Sequence, residues 1–296
     1  MTRALIIGLF ALGCSPVHRI PSPQIATPRT QIPAPRTQIP APQAQSHYVR
    51  GRLALLRGDL VDAHTAFSMA RVFDPDSPYI PLAIGQVALV GGDTEAAGAA
   101  WQEATRVDPG CAQAWMYRAR IERLGGRTIN AAGHYGRARE LGHGWQAWAG
   151  EFDAWLHAKQ RGEAAAVLAE WTGLSGLGTT AAAERGQRRL RMGDSEGAAA
   201  DLYPAAEARA EDQGTVSRWV AAVLLLEDRS AAMVQLDTLA ARAPGATAPL
   251  WASAVLGDAE GDSARVRAAL HAWSDLDPED EALHRLRVVL GTGGDQ

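Results

Sequence analysis

The chain has 296 residues, 47% of them hydrophobic and 21% charged, and a formal net charge of −4. Its length and apolar content allow a sizeable core, and its acidic balance excludes the basic footprint that nucleic-acid binding requires. The only two cysteines, Cys14 and Cys111, exclude a Cys-x-x-Cys zinc site.

The chain opens Met1-Thr2-Arg3, with one positive charge, and then runs apolar from Ala4 to Leu12. A basic start followed by a short hydrophobic stretch is a signal-peptide pattern. The stretch is too short for a hydrocarbon core of about 30 Å, which needs roughly 20 helical residues. Ala11-Leu12-Gly13-Cys14 resembles the lipobox of bacterial lipoproteins, with Ala11 where leucine is commoner. The resemblance implies cleavage after Gly13 and acylation of Cys14, including a palmitate-type chain on its freed amine. Several acyl chains together give stable membrane residence. Ser15 in place of an aspartate implies an outer-membrane location facing the periplasm if the cell is Gram-negative. Once Cys14 carries lipid, no intrachain disulfide is possible.

From Ser15 to Ser46 the composition shifts to Pro, Gln, Thr and Ala, with no acidic residue. Pro28-Arg-Thr-Gln-Ile-Pro-Ala34 is repeated at once as Pro35-Arg-Thr-Gln-Ile-Pro-Ala41. Proline fixes φ and removes amide donors, so this segment favours extended conformations and builds no core. At about 3.1 Å per residue it reaches on the order of 100 Å when fully extended, as a tether would. Beyond Ser46 there are 25 basic and 33 acidic residues, a formal −8. That charge opposes contact of the folded part with anionic lipid or nucleic acid.

The remainder is periodic. A small or apolar residue precedes a bulky one by four places at Ala63…Phe67, Ala97…Trp101, Ala131…Tyr135, Val167…Trp171, Ala198…Leu202, Ala232…Leu236 and Val266…Leu270. Five residues before each pair stands a turn residue: Gly58, Gly92, Gly126, Gly162, Gly193, Glu227 and Gly261, at intervals of 34, 34, 36, 31, 34 and 34. Alanine lets two helices approach closely and the bulky residue one turn on fills the gap to a neighbouring hairpin. Glycine permits the positive φ that ends a helix. Asp-Pro at Asp74-Pro75, Asp108-Pro109 and Asp277-Pro278 stops one helix or starts the next.

These residues resemble the tetratricopeptide pattern of paired helices in 34 residues. The first unit carries Gly51, Ala54, Gly58, Ala63, Phe67, Ala70 and Pro75; the second carries Gly85, Ala88, Gly92, Ala97, Trp101, Ala104 and Pro109. The third keeps Trp115, Ala119, Gly126, Ala131, Tyr135 and Ala138 but has His143 in place of the closing proline. Pro244 and Pro278 restore it in the last two, whereas Gly173–Thr180 replaces it between the fourth and fifth. The resemblance implies an all-α, right-handed α-solenoid of about seven helical hairpins. The expected organisation is a signal peptide at 1–13, lipidated cysteine and Pro-rich disordered spacer at 14–46, and repeat array at 47–278. A capping helix at 279–290 and a flexible tail at 291–296 complete it. Leu283, Leu286 and Leu290 fall on one face of that capping helix.

The sequence offers no chemistry. None of the eight histidines pairs as His-x-x-His or His-x-x-x-His, and no Gly-Lys-Ser/Thr follows a glycine pair, so no cofactor, metal or small-molecule substrate is expected. Cys111, Trp145, Trp148 and Trp155 read as packed residues. In the family, the first helix of each pair lines a concave groove that binds peptide segments. By position this implies Tyr48, Arg52 and Leu55 in the first unit, then Leu82, Gln86 and Leu89 in the second. Met116, Arg120 and Arg123 follow in the third, and Phe152, Leu156 and Lys159 in the fourth. Arginine and aromatic residues are the types that become binding hot spots. No Lys/Asn set for a terminal-carboxylate clamp is present, and Arg52 stands where an asparagine would. The expected protein is a non-enzymatic, membrane-anchored scaffold of the bacterial envelope. It would assist assembly of a pilus, secretion or outer-membrane machine, or serve as the adaptor of an envelope enzyme.

Overall fold

A computed structural model describes residues 42–291. The signal segment, Cys14, the spacer up to residue 41 and residues 292–296 of the expected tail lie outside the described residues. Among the described residues there are 15 α-helices and no strand, and no helix is long and apolar enough to cross a membrane.

The helices form seven pairs and a cap. The pairs are α1 (Pro42–Leu56) with α2 (Leu60–Phe73), α3 (Tyr79–Val90) with α4 (Thr94–Val107), and α5 (Ala112–Leu124) with α6 (Thr128–Glu140). Next come α7 (Trp145–His157) with α8 (Arg161–Thr172) and α9 (Thr179–Met192) with α10 (Ser195–Ala208). The last two pairs in chain order are α11 (Gln213–Val223) with α12 (Ser230–Arg242) and α13 (Thr247–Ala259) with α14 (Ser263–Leu276), followed by α15 (Glu281–Val289). The backbones of α11 and α12 hardly meet, while both pack on their neighbours α10 and α13. The first helix opens at Pro42, inside the segment read as spacer. Proline suits a first helical turn, where its missing N–H has no partner to lose.

A Gly-Asp dipeptide makes the tight turn inside four of the pairs. Gly58, Gly92, Gly193 and Gly261 hold positive φ, and the next residue caps the second helix. Asp59, Asp93, Asp194 and Asp262 each accept a hydrogen bond from the backbone N–H three residues on, at 3.2, 2.8, 2.9 and 2.9 Å. These aspartates satisfy a donor that the helix start leaves open.

The fourth turn corrects the sequence register. Gly162 lies within α8, and the residue in the left-handed conformation is Lys159, at φ 60°. Replacing 162 by 159 turns the irregular intervals 36 and 31 into 33 and 34. The fourth small–bulky pair is therefore Ala164…Leu168, both buried, and Trp171 stands where Ala70, Ala104 and Ala138 stand in earlier pairs. The sixth turn has no positive-φ residue among those described. Arg229 instead donates to the carbonyls of Val223 and Leu224 at 3.1 and 2.8 Å, closing the end of a shortened α11.

The two helices of a hairpin pack through small-to-large contacts. Gly85 lies so close to Trp101 that any Cβ there would collide with the indole, and the indole Nε1 donates to the Leu82 carbonyl at 3.1 Å. Same-layer helices are tied by side chains about one repeat apart. Arg71–Glu103, Arg139–Glu170, Glu207–Arg242 and Asp237–Arg265 join even-numbered helices. Arg52–Gln86, Gln86–Tyr117 and Asp153–Arg188 join odd-numbered ones. First helices thus form one layer and second helices the other, an α-solenoid with a continuous core. At its end Leu283 is buried on α13 and α14, with Leu286 and Leu290 partly buried beside it, on the face the sequence marked out.

Candidate functional site

The layer of first helices presents its richest surface on α1, α3 and α5. Gln86, in the middle, accepts a hydrogen bond from Arg52 Nη1 at 3.0 Å and donates through Nε2 to the Tyr117 hydroxyl at 2.6 Å. Arg120 lies over the Tyr117 ring, 5.7 Å from its centroid, and Tyr117 stacks in turn on Trp101 at 4.8 Å. Tyr48 packs on Phe67. Burial raises the Tyr48 hydroxyl pKa, and nearby Arg52 opposes that rise. A polar ladder of Arg, Gln and Tyr therefore crosses three hairpins, anchored on core aromatics.

Beside the ladder runs an aliphatic row. Leu56, Val90 and Leu124 are the last residues of α1, α3 and α5, spaced by 34, and are 79%, 65% and 67% exposed. Tyr79 and Leu89 are exposed too, and Leu55 is half-buried. Bulky apolar side chains in a regular exposed row, next to arginine and tyrosine, have the composition of a protein-docking surface. The row ends at the fourth hairpin, where the counterpart is His157.

Three of the sequence-expected groove residues are placed differently. Leu82, Met116 and Phe152 are 5%, 2% and 0% exposed. Leu82 packs against Ala97 and Trp101, and Met116 against Ala131 and Tyr135, filling the space between paired helices. Phe152 was placed by the 36-residue interval. With the true interval of 33 it is the counterpart of Ala119, which faces the second helix. Leu156 is partly buried against the same cluster as Phe152, and Lys159 forms the turn. Tyr48, Arg52, Leu55, Gln86, Leu89, Arg120 and Arg123 do come together on the odd-helix face.

The fourth-hairpin counterpart of Arg120 is Asp153, which sequence reasoning missed through that register error. It accepts hydrogen bonds from Arg188 at 2.6 Å and Arg191 at 2.5 Å, both on α9. Charges on this part of the face are thus satisfied internally. Reasoning from sequence also missed Leu56, Val90, Leu124, Tyr79 and Tyr117. The recurrence of Leu56, Val90 and Leu124 every 34 residues, at the ends of first helices, was the available signal for that row.

The remaining reactive-looking residues are structural. Burial pushes the Cys111 thiol pKa up, away from the reactive thiolate, despite its place at the start of α5. Trp145, Trp148 and Trp155 pack against the core of the fourth hairpin, with the Arg139 guanidinium 4.4 Å from the Trp148 ring centroid. No group of three or more His, Cys, Asp or Glu suited to a metal ion occurs among the described residues.

By fold and surface, the molecule is a helical-hairpin repeat solenoid with one extended face open to contact. Residues 82–144 match the tetratricopeptide repeat family model, within the second to third of the helix pairs. Among solved structures it is similar to the C-terminal part of a TPR repeat-containing protein from Cytophaga hutchinsonii, at 13% identity and a TM-score of 0.57. That alignment covers 81% of this chain and 98% of the other, and it shows the shared fold. A tetratricopeptide repeat protein from Parabacteroides merdae aligns at 11% identity and TM-score 0.49, over 85% of this chain and 100% of the other. YrrB, described as a TPR protein with an unusual peptide-binding site, aligns at 13% and 0.44, over 77% and 98%. No curated protein matches.

Proposed function

We propose that the chain is a non-enzymatic protein–protein interaction scaffold of the bacterial cell envelope, held to the membrane by lipid on Cys14. Its partner docks on the odd-helix face of the first three hairpins, and its role is to assist assembly of a multi-protein envelope machine. The observation that carries this reading is the exposed aliphatic row of Leu56, Val90 and Leu124 beside the Arg52–Gln86–Tyr117 ladder. Such a row costs solubility unless a partner covers it. The lipobox-like Ala11–Cys14 and the proline-rich segment after it supply the anchor and the tether.

The test is Cys14→Ser in the native cell. The variant is expected to lose acyl labelling and to leave the membrane fraction. Crosslinked complexes captured with the parent chain are expected to fall away, because the scaffold is no longer held beside its partners. Retention in the membrane contradicts the anchor, and complexes that survive with released chain contradict the need for it.

A further inference from the structure

The odd-helix face of the first three hairpins also carries a charge pattern. Neither α1 nor α3 contains a carboxylate, and the single one on α5, Glu122, is bonded to Arg127 at 2.5 Å. Arg52, Arg120 and Arg123 form no ion pair among the described residues. Arg52 donates to a neutral amide and Arg120 rests on a tyrosine ring. On α9 the situation is the reverse: Arg185, Arg188, Arg189 and Arg191 all meet carboxylates. The chain has acid to spare, with 33 acidic against 29 basic residues, yet leaves these three guanidiniums without any.

We infer that the segment docking on this face is acidic and aliphatic. It is a stretch of partner protein whose side-chain carboxylates meet Arg52, Arg120 and Arg123 while Leu, Ile, Val or Phe side chains cover Leu56, Val90 and Leu124. This rests on the reading of the face as the docking surface. The two rows lie side by side, so a partner that covers the aliphatics also removes water from the arginines. An apolar partner strips hydration from three cations without replacing it, which opposes the gain from the leucines. A basic partner adds repulsion to that cost. Carboxylates restore the lost hydrogen bonds in charge-assisted form, and the guanidinium fork matches them in shape. Arg52 and Arg120 stand on helices separated by α3, roughly 16–20 Å apart at ordinary helix spacing. One terminal carboxylate cannot reach both, so the acidic groups are distributed along the segment.

The experiment is selection of random dodecapeptides displayed on phage against the full chain, followed by binding of a selected peptide in solution. The selected pool should be enriched in Asp and Glu together with Leu, Ile, Val and Phe. Binding should fall about tenfold or more on Arg52→Glu combined with Arg120→Glu, at unchanged melting temperature. Replacing the acidic residues of the peptide by lysine should restore binding to that double variant. A basic or uncharged pool, or a double variant that binds like the parent, overturns the inference. Leu56→Asp with Val90→Asp separates it from the reading beneath. Peptides lost on that variant but carrying no acid leave the face standing and remove only its chemistry. Peptides that still bind it, or a selection that yields none, remove both. Capture of phosphatidylglycerol vesicles in place of peptides also overturns the inference.

Discussion

Lys159 shows how much one residue decides. In a left-handed position beside Gly58, Gly92, Gly126 and Gly193, it breaks the glycine rule that made the repeat readable, and Gly162 three places on supplied a false substitute. The physical requirement is positive φ. Glycine meets it without strain, whereas lysine meets it at a cost that the surrounding hairpin must absorb. Lys159→Gly is therefore expected to stabilise the chain by about 1 kcal/mol, measured as a raised urea midpoint with unchanged slope; a lowered midpoint contradicts the strain. The same misplacement moved the groove expectation from Asp153 to Leu156. Where glycine occupied the turn, the sequence reading and the structure coincide, as at Ala63…Phe67 and Ala97…Trp101. What could not be read from local pattern was which long side chains turn inward. Leu82 and Met116 are buried because the gap between their helices is open at that level, and spacing alone does not show this.

At the scale of elements, the junction of α8 and α9 departs furthest from the repeat. Gly173–Gly178 replaces the proline turn, and Arg185 takes over its work. The guanidinium forms two bonds to Asp201, at 2.8 and 2.5 Å, and Nη1 also donates to the carbonyls of Trp171 and Leu174 at 3.1 and 3.3 Å. One side chain thus closes the end of α8, pins the loop and ties α9 to α10. Both partners are nearly buried, so removing one strands the other's charge. Arg185→Ala is expected to destabilise the chain by about 3 kcal/mol or more. Arg185→Met with Asp201→Leu should recover most of that loss in chemical denaturation. A single variant as stable as the parent contradicts the capping role. None of this was legible in the sequence, because the arginine and the carbonyls it caps belong to different helices. The acidic caps were legible in part: Gly-Asp recurs in repeat register at 58, 92, 193 and 261, and outside it at 257 and 294.

Across the whole molecule, one solenoid carries two kinds of surface. On α7 and α9 the carboxylates and arginines of the odd-helix layer are matched internally, as Asp153 is by Arg188 and Arg191. On the first three hairpins the aliphatic row and the arginines are left open. The repeat architecture was readable because a 34-residue period forces the same contacts again and again. The asymmetry between its ends was not, since it depends on which arginines find carboxylates across neighbouring hairpins. The central claim is that partners dock on this open face. It is tested most directly by placing a photoactivatable crosslinking residue, in the native cell, at Val90 or Leu124 on that face and at exposed Ala99 or Ala166 on α4 and α8. The account predicts the same protein adduct from Val90 and Leu124 and none from Ala99 and Ala166. Adducts confined to Ala99 and Ala166, or absent at all four positions, would contradict it.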